Sequence, residues 1–347
     1  MKEFIGKLVE GKDLTVSEAE EAMKLIMSGA ATQAQIGAFL TALRMKGETV
    51  AEITACAKIM RSFASKINPK VNGTLVDTCG TGGDKIKTFN ISTIAAFVVA
   101  GAGIYVAKHG NRSVTSKAGS ADVLEALGVK IDLPPKQVER CIESTGIGFM
   151  FAPVFHPAMK HAIGPRKEIG IRTVFNILGP LTNPASANAQ LLGVYDAALT
   201  ERIAKVLKLL GSKRVLVVHG LGGLDELSTF GETKISELEE GRVITYRVKP
   251  EDFGIKRAQV NELLGGDLEF NKNVVLDVLK NGEKGARRDI VALNAAAGIY
   301  AGGRTHSIKE AMGVANEYID SGAAYKKLQA LVRESNRSAG NEEWGTS

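Results

Sequence analysis

The sequence predicts an α/β protein in two parts: a small discontinuous helical domain, and a larger α/β domain built on a mostly parallel central sheet. Three observations carry this. Up to about residue 67 only helical periodicity is present; from Thr74 onward strand-like and helix-like runs alternate; and residues 153–188 break the alternation with Pro153, Pro157, Pro165, Pro180 and Pro184. Strand–helix alternation is the pattern of βαβ units, whose strands pair in parallel.

In the first part, Phe4, Ile5, Leu8 and Val9 give an opening helix its apolar face. Thr15-x-x-Glu18, Thr32-x-x-Gln35 and Thr49-x-x-Glu52 are capping boxes, each opening a helical run. Gly29 and Gly47 stand where C-caps belong. Ala19, Ala22, Met23 and Ile26 share one face, as do Ile36, Phe39, Leu40 and Leu43, and Asn68-Pro69 stops the last helix. The expected strands are Thr74–Thr78, Ile104–Ala107, Ile147–Phe151, Ala189–Tyr195 and Arg214–His219, then Thr233–Glu237 and Val243–Val248. Helices are expected over Ile91–Ala102 and Ala121–Leu127, then in three late runs at about 273–301, 307–322 and 323–334. The expected division is a helical domain at 1–68, rejoined by the 165–188 excursion, an α/β domain at 69–164 and 189–337, and a frayed tail at 338–347.

Hydrophobic residues make up 44% and charged residues 24% of the 347, an ordinary globular mix. Aromatics are only 5% against 38 glycines, which favours backbone-lined sites over stacking platforms. The net charge of +6 is dispersed, so it reads as a solvated surface with a local positive site rather than a nucleic-acid face. No apolar run reaches the ~18 residues of a membrane span. The charged start Met1-Lys-Glu-Phe-Ile-Gly-Lys7 does not suit a signal peptide. Cys56, Cys79 and Cys141 are odd in number and far apart, showing neither metal spacing nor a disulfide framework. A cytoplasmic protein is expected.

The richest motif is Asp77-Thr-Cys-Gly-Thr-Gly-Gly-Asp84, between a strand-like and a helix-like run. Gly80, Gly82 and Gly83 let backbone N–H groups close on an anion, and the next helix offers its N-terminus to the same anion. It is neither a P-loop nor a dinucleotide fingerprint, because Lys85 stands where those patterns need other residues. Asp84 repels an anion unless a divalent cation bridges the two. Thr88, Asn90, Ser92 and Thr93 place more hydroxyl and amide groups at one helix start than capping requires. Lys108-His-Gly-Asn-Arg112 follows a strand and runs on through Ser113, Thr115, Ser116, Lys117 and Ser120 as a second polar cradle. Asp225-Glu226 after Gly222-Gly223 suits Mg²⁺. Arg166 can fork onto a carboxylate. Singly, these read as a turn, a cap, a basic loop, a solvated acid pair and a surface arginine; there is no Ser-His-Asp order, activated cysteine or zinc cluster.

In order, Asp77–Asp84, Asn90–Thr93, Lys108–Arg112, Gly119–Gly128, Gly164-Pro-Arg166, Arg172–Pro184 and Gly223-Leu-Asp-Glu226 closely resemble the anthranilate phosphoribosyltransferase family over nearly the whole chain. The resemblance implies a nucleoside phosphorylase/phosphoribosyltransferase-like fold and a homodimer joined through the helical domain. It implies Mg²⁺-dependent transfer of phosphoribose from 5-phosphoribosyl 1-pyrophosphate (PRPP) to anthranilate in tryptophan biosynthesis. By position, Gly80, Gly83, Asp84, Thr88, Asn90, Ile91, Ser92, Thr93, Lys108, Gly110, Asn111, Arg112, Ser116 and Ser120 hold PRPP. Gly80, His109, Asn111, His156, Arg166, Gly179 and Pro180 hold anthranilate; Ser92, Asp225 and Glu226 hold Mg²⁺; Lys108, His109 and Arg166 are the catalytic candidates. The alternatives are a pyrimidine nucleoside phosphorylase-like enzyme and a non-catalytic nucleic-acid-binding relative. The favoured reading has no nucleic-acid or membrane partner.

Overall fold

The computed structural model describes residues 1–113 and 118–337. Four helices open the chain: α1 (Lys2–Val9), α2 (Val16–Met27), α3 (Gln33–Lys46) and α4 (Val50–Ser62). All three capping boxes form: Thr15, Thr32 and Thr49 each accept the N–H three residues on, and Glu18, Gln35 and Glu52 reach back to the cap N–H. Gly47 ends α3 at φ 89°, while α2 ends on Ser28 with Gly29 next in line.

The rest alternates as β1 (Leu75–Gly80), α5 (Ile91–Gly101), β2 (Tyr105–Gly110), α6 (Ser120–Ala126), α7 (Pro135–Thr145) and β3 (Ile147–Phe151). The Pro-punctuated segment holds α8 (Ala152–Phe155), α9 (Lys160–Ile169) and α10 (Phe175–Leu181). Then come β4 (Ala189–Gly193), α11 (Leu199–Leu209), β5 (Arg214–Gly220), β6 (Thr233–Glu239), β7 (Arg242–Val248), α12 (Leu268–Leu279), α13 (Ala286–Ala301), α14 (Ile308–Asp320) and α15 (Ala323–Ser335). Among the described residues no helix is long and apolar enough to cross a membrane.

The seven-stranded sheet runs β3-β2-β1-β4-β5-β6-β7, parallel through β5 and antiparallel at β6 and β7. Strand order reverses at β1, which has β2 on one side and β4 on the other. A ligand crevice opens beyond the carboxyl ends of strands at such a switch point. One apolar core packs α5, α12, α13 and α15 on one side of the sheet. A second joins α2, α3 and α4 to Ala162, Phe175, Leu178 and Leu181 of α9 and α10, and to α11. α9 packs on α2 and α3, and α10 on α4.

Two expectations need correction. The single run at about 273–301 is two helices, broken where Gly282 and Gly285 take φ 72° and 101°. A residue in that region cannot continue a right-handed helix. β1 and β2 also run on to Gly80 and Gly110, beyond their expected ends at Thr78 and Ala107. The polar Lys108 and His109 read as loop, yet they pair with Phe149 and Met150 of β3 and are buried.

Candidate active site

At the switch point the chain passes so closely over itself that only glycine fits. A Cβ at Gly193 would lie 1.6 Å from the Asp225 carbonyl oxygen, and one at Gly80 would lie 2.4 Å from Asp225 Oδ2. The 225–226 turn is thereby laid across the carboxyl ends of β1 and β4. Gly82 and Gly83 then take φ 69° and 74°, and the Gly82 N–H donates to Asp225 Oδ2 at 2.9 Å. The Ser92 N–H, in the first turn of α5, donates to Glu226 Oε1 at 3.2 Å. Two of the N–H groups expected to face an anion, those of Gly82 and Ser92, are thus occupied by the protein's own carboxylates.

Asn90 is the N-cap of α5 but makes no side-chain cap bond. Its Nδ2 donates to the Ala118 carbonyl at 3.2 Å, and its buried Oδ1 has no partner among the described residues. Thr88 bridges Leu264, and Ile91 and Thr93 are buried. Arg172, which sequence reasoning did not single out as a site residue, donates to the Gly83 carbonyl and stacks 4.1 Å from the Tyr195 ring centroid.

Three carboxylates converge here. Burial, then Asp84, pushes Asp225 up to about 6. Burial, then Asp225, pushes Glu226 well above the usual carboxylate range. Burial also raises Asp84, whose Oδ2 is buried without a partner among the described residues. Among the described residues, no three His, Cys, Asp or Glu side chains make a metal cage by themselves.

Lys108 does not project into the crevice. Its Nζ lies beneath, donating to the Thr78 carbonyl at 2.6 Å and to Ser92 Oγ at 3.4 Å. Burial lowers its pKa, and the neighbouring Asp77 carboxylate opposes that. Arg112 is likewise turned away from a cradle: it donates to Asp122 and Glu125 of α6 at 2.8 Å each. Asn111 Oδ1 accepts the Arg112 N–H at 2.8 Å, and the Asn111 carbonyl accepts the Ser120 hydroxyl at 3.3 Å. A Cβ at Gly110 would strike Ser120 Oγ at 2.4 Å, which explains the glycine. Ser116, with Thr115 and Lys117, lies outside the described residues.

Successive strand residues face opposite sides of a sheet, so His109 points away from Lys108. Its ring lies 5.0 Å from that of His156, tilted by 51°. Burial, then His156, lowers His109 to about 3, and burial lowers His156 to about 4, so both are neutral at pH 7. Among the described residues, His109 Nε2 and both His156 ring nitrogens are buried without a close hydrogen-bond partner, while the main chain at Gly179 bears on the His109 ring and that at Thr182 on the His156 ring. Arg166 stands on α9 rather than after a strand, half-buried and 5.2 Å over the Phe175 ring, and no carboxylate among the described residues pairs with it. Burial lowers its pKa. Gly179 and Pro180 lie in α10, and the Pro180 carbonyl accepts from Gln190 Nε2 at 2.8 Å. Asp77 and Asn183 lie inside motifs that sequence reasoning singled out without giving either a role; both are buried, and Asn183 Nδ2 donates to Asp77 Oδ2 at 2.8 Å. Nothing local in the sequence says that the two meet.

The chain matches two family models, "Glycosyl transferase family, a/b domain" over residues 72–325 and "Glycosyl transferase family, helical bundle domain" over residues 2–64. It is 58% identical over 336 residues to the anthranilate phosphoribosyltransferase of Acetivibrio thermocellus, covering 97% of each chain. It is 58% identical over 330 residues to that of Methanocorpusculum labreanum, covering 95% of this chain and 96% of the other. Its structure is similar to that of anthranilate phosphoribosyltransferase from Thermus thermophilus, with a TM-score of 0.91 at 45% identity, covering 96% of this chain and 99% of that one. It is also similar to the Saccharomyces cerevisiae enzyme in complex with PRPP and Mg, with a TM-score of 0.88 at 28% identity, covering 96% and 97%. With the switch-point topology and the motif order in agreement, the chain belongs to the anthranilate phosphoribosyltransferase family.

Proposed function

We propose that this chain transfers the phosphoribosyl group of PRPP to the amine of anthranilate in a Mg²⁺-dependent reaction, releasing N-(5-phosphoribosyl)anthranilate and pyrophosphate, a step of tryptophan biosynthesis. One observation carries the site reading. A half-buried guanidinium without a carboxylate partner among the described residues, Arg166, stands in the same fold as two neutral buried histidines and a glycine turn backed by three carboxylates. An aromatic carboxylate suits the first pair of features, and a metal-bound pyrophosphate suits the last.

The donor half takes Gly80, Gly83, Asp84, Thr88, Asn90–Thr93, Lys108, Gly110, Asn111, Ser116 and Ser120, with Arg112 held back by Asp122 and Glu125. The carboxylates of Asp225 and Glu226 with the Ser92 hydroxyl fit Mg²⁺, because their mutual repulsion and the unpartnered Asp84 Oδ2 call for a cation. Phosphate oxygens and water would complete its coordination. When bound, the ion supplies Lewis-acid stabilisation to the departing pyrophosphate. Lys108 places its charge behind Ser92 and Glu226 and so steadies both groups. The α5 N-terminus adds a fixed positive end as charge gathers on the leaving group.

The acceptor half takes His109, Asn111, His156, Arg166, Gly179 and Pro180. Arg166 holds the carboxylate, and the neutral imidazoles offer acceptor nitrogens to the amine. Anthranilate's amine is neutral at pH 7, so positioning matters more than a strong base. Helical residues 1–68 with 165–188 form one domain in this reading. Val9 and Met45, exposed at 74% and 83%, support a homodimer face there. The cytoplasm is the expected compartment.

The test is to mix protein, Mg²⁺, anthranilate and PRPP and follow loss of anthranilate fluorescence. Phosphorolysis of thymidine or uridine serves as the control; turnover of those without turnover of anthranilate overturns the reading.

A further inference from the structure

The β1–β2 ladder is registered at only two positions, Leu75 with Tyr105 and Val76 with Val106. Its neighbours, β1–β4 and β2–β3, each run for five. Beyond Val76 the main-chain groups of both strands find side-chain partners instead. Asp77 Oδ1 accepts the His109 N–H at 3.3 Å. Asn183 Nδ2 donates to the Ala107 carbonyl at 2.9 Å and to Asp77 Oδ2 at 2.8 Å. Lys108 Nζ takes the Thr78 carbonyl. At the carboxyl ends of the two strands a set of polar side chains thus stands in for the main-chain ladder as a wedge, with Asp77 fully buried and Asn183 4% exposed.

Asn183 is not a strand residue. It follows α10, and its Oδ1 accepts the Ala185 N–H at 2.9 Å, which holds the amide in one orientation. The wedge therefore ties three things together: β1, the His109 end of β2, and the segment that carries Gly179 and Pro180. Each bond has an assigned direction. A carboxylate only accepts, and here it faces the His109 N–H and the Asn183 amide, with the Cys79 thiol beside them; the amide supplies a donor to two acceptors. Buried away from water, such a set is satisfied only by this pairing.

We propose that Asp77 and Asn183 are positioning residues for the acceptor half of the active site. They hold His109 at a set distance from the Gly179–Pro180 wall by replacing the missing β1–β2 ladder. They touch neither substrate. The proposal rests on the assignment of anthranilate to that half.

The test compares Asp77→Asn and Asn183→Ala with the wild type, reading thermal unfolding, kcat and the KM for each substrate. Asp77→Asn turns a donor onto a donor, and Asn183→Ala removes the tie to β2. Each is expected to raise the KM for anthranilate about tenfold, the effect of a lost buried hydrogen bond, with the KM for PRPP within about twofold. The exchanged pair Asp77→Asn/Asn183→Asp restores the bond between the two side chains and should recover part of that KM. Parallel changes in both KM values, no change in either, or failure of both single variants to fold overturns the positioning role. Arg166→Ala run alongside separates the two levels. If it leaves the anthranilate KM unchanged, the assignment of the pocket is wrong; if it raises that KM while the wedge variants do not, the wedge proposal alone fails.

Discussion

The two halves of the crevice differ in how their polar groups are paired. On the donor side, Asp225 holds the Gly82 N–H, Glu226 holds the Ser92 N–H, and Lys108 holds the Thr78 carbonyl. On the acceptor side, among the described residues, Arg166 pairs with no carboxylate, and three imidazole nitrogens of His109 and His156 have no close partner, with only the main chain at Gly179 and Thr182 bearing on the rings. Two N–H groups of the donor half, those of Gly82 and Ser92, must exchange partners when a charged ligand arrives, while its Asp84 Oδ2 and Asn90 Oδ1 stand unpartnered among the described residues and call for a cation or a donor. The acceptor half keeps hydrogen-bonding capacity in a buried place, where vacancy is costly. Side chains that bear this cost suit a ligand that supplies the missing contacts. This contrast predicts that the donor half governs turnover and the acceptor half governs discrimination.

The largest effect is expected from the carboxylates. Asp225→Asn with Glu226→Gln should lower kcat by roughly 10³-fold or more, since transition-state charge loses its stabilising group. Excess chelator should do the same to the wild type. A double variant that keeps wild-type kcat would erase the distinction between the halves.

Next is Arg166→Ala, expected to weaken anthranilate by roughly 30- to 1,000-fold, from ~2–4 kcal/mol for a lost buried charge-paired contact. The KM for PRPP should stay near the wild-type value. Arg166→Lys should rescue only in part, because an ammonium cannot form the fork. The alanine variant should also lose most of its preference for anthranilate over aniline, which lacks the carboxylate. A retained preference would assign carboxylate reading to His109 or Asn111.

A smaller effect concerns stability without metal. The folded pKa of Asp225 is raised from 3.8 to about 6. A carboxyl raised in this way stabilises the fold at low pH, and that contribution is lost as pH rises from about 4 through about 6. In chelator at pH 7.5, Asp225→Asn should therefore stabilise the protein by on the order of 1–3 kcal/mol, and the gain should vanish near pH 4. Thermal unfolding at the two pH values measures it; an equal gain at both would show that charge burial is not the cause.

The smallest effect is expected at Arg112. Its guanidinium is engaged by Asp122 and Glu125 on an exposed face. Arg112→Ala should change the KM for PRPP by less than about threefold, in line with a surface pair. A tenfold rise would mean that Arg112 leaves α6 for the ligand.

Much of this molecule was written locally. The threonine caps of α2, α3 and α4 and the strands β3 to β7 are set by residues three or four apart or by alternation within one run, so they are legible without knowing the fold. The glycine turn and the acid pair were legible as chemistry for the same reason. The partners of the buried polar groups were not. Lys108 and Arg112 look alike in sequence, as cations in one basic run, yet one lies under β1 and the other sits on α6. Asp77 and Asn183 are 106 residues apart, and neither makes sense alone. Gly193 is required only because Asp225 crosses above it. Sequence by itself determined the elements, their order and the family, because short-range hydrogen bonds and apolar periodicity act within a few residues. Only the tertiary structure decided which donor meets which acceptor, because in a buried crevice that choice depends on which distant segments the sheet brings together.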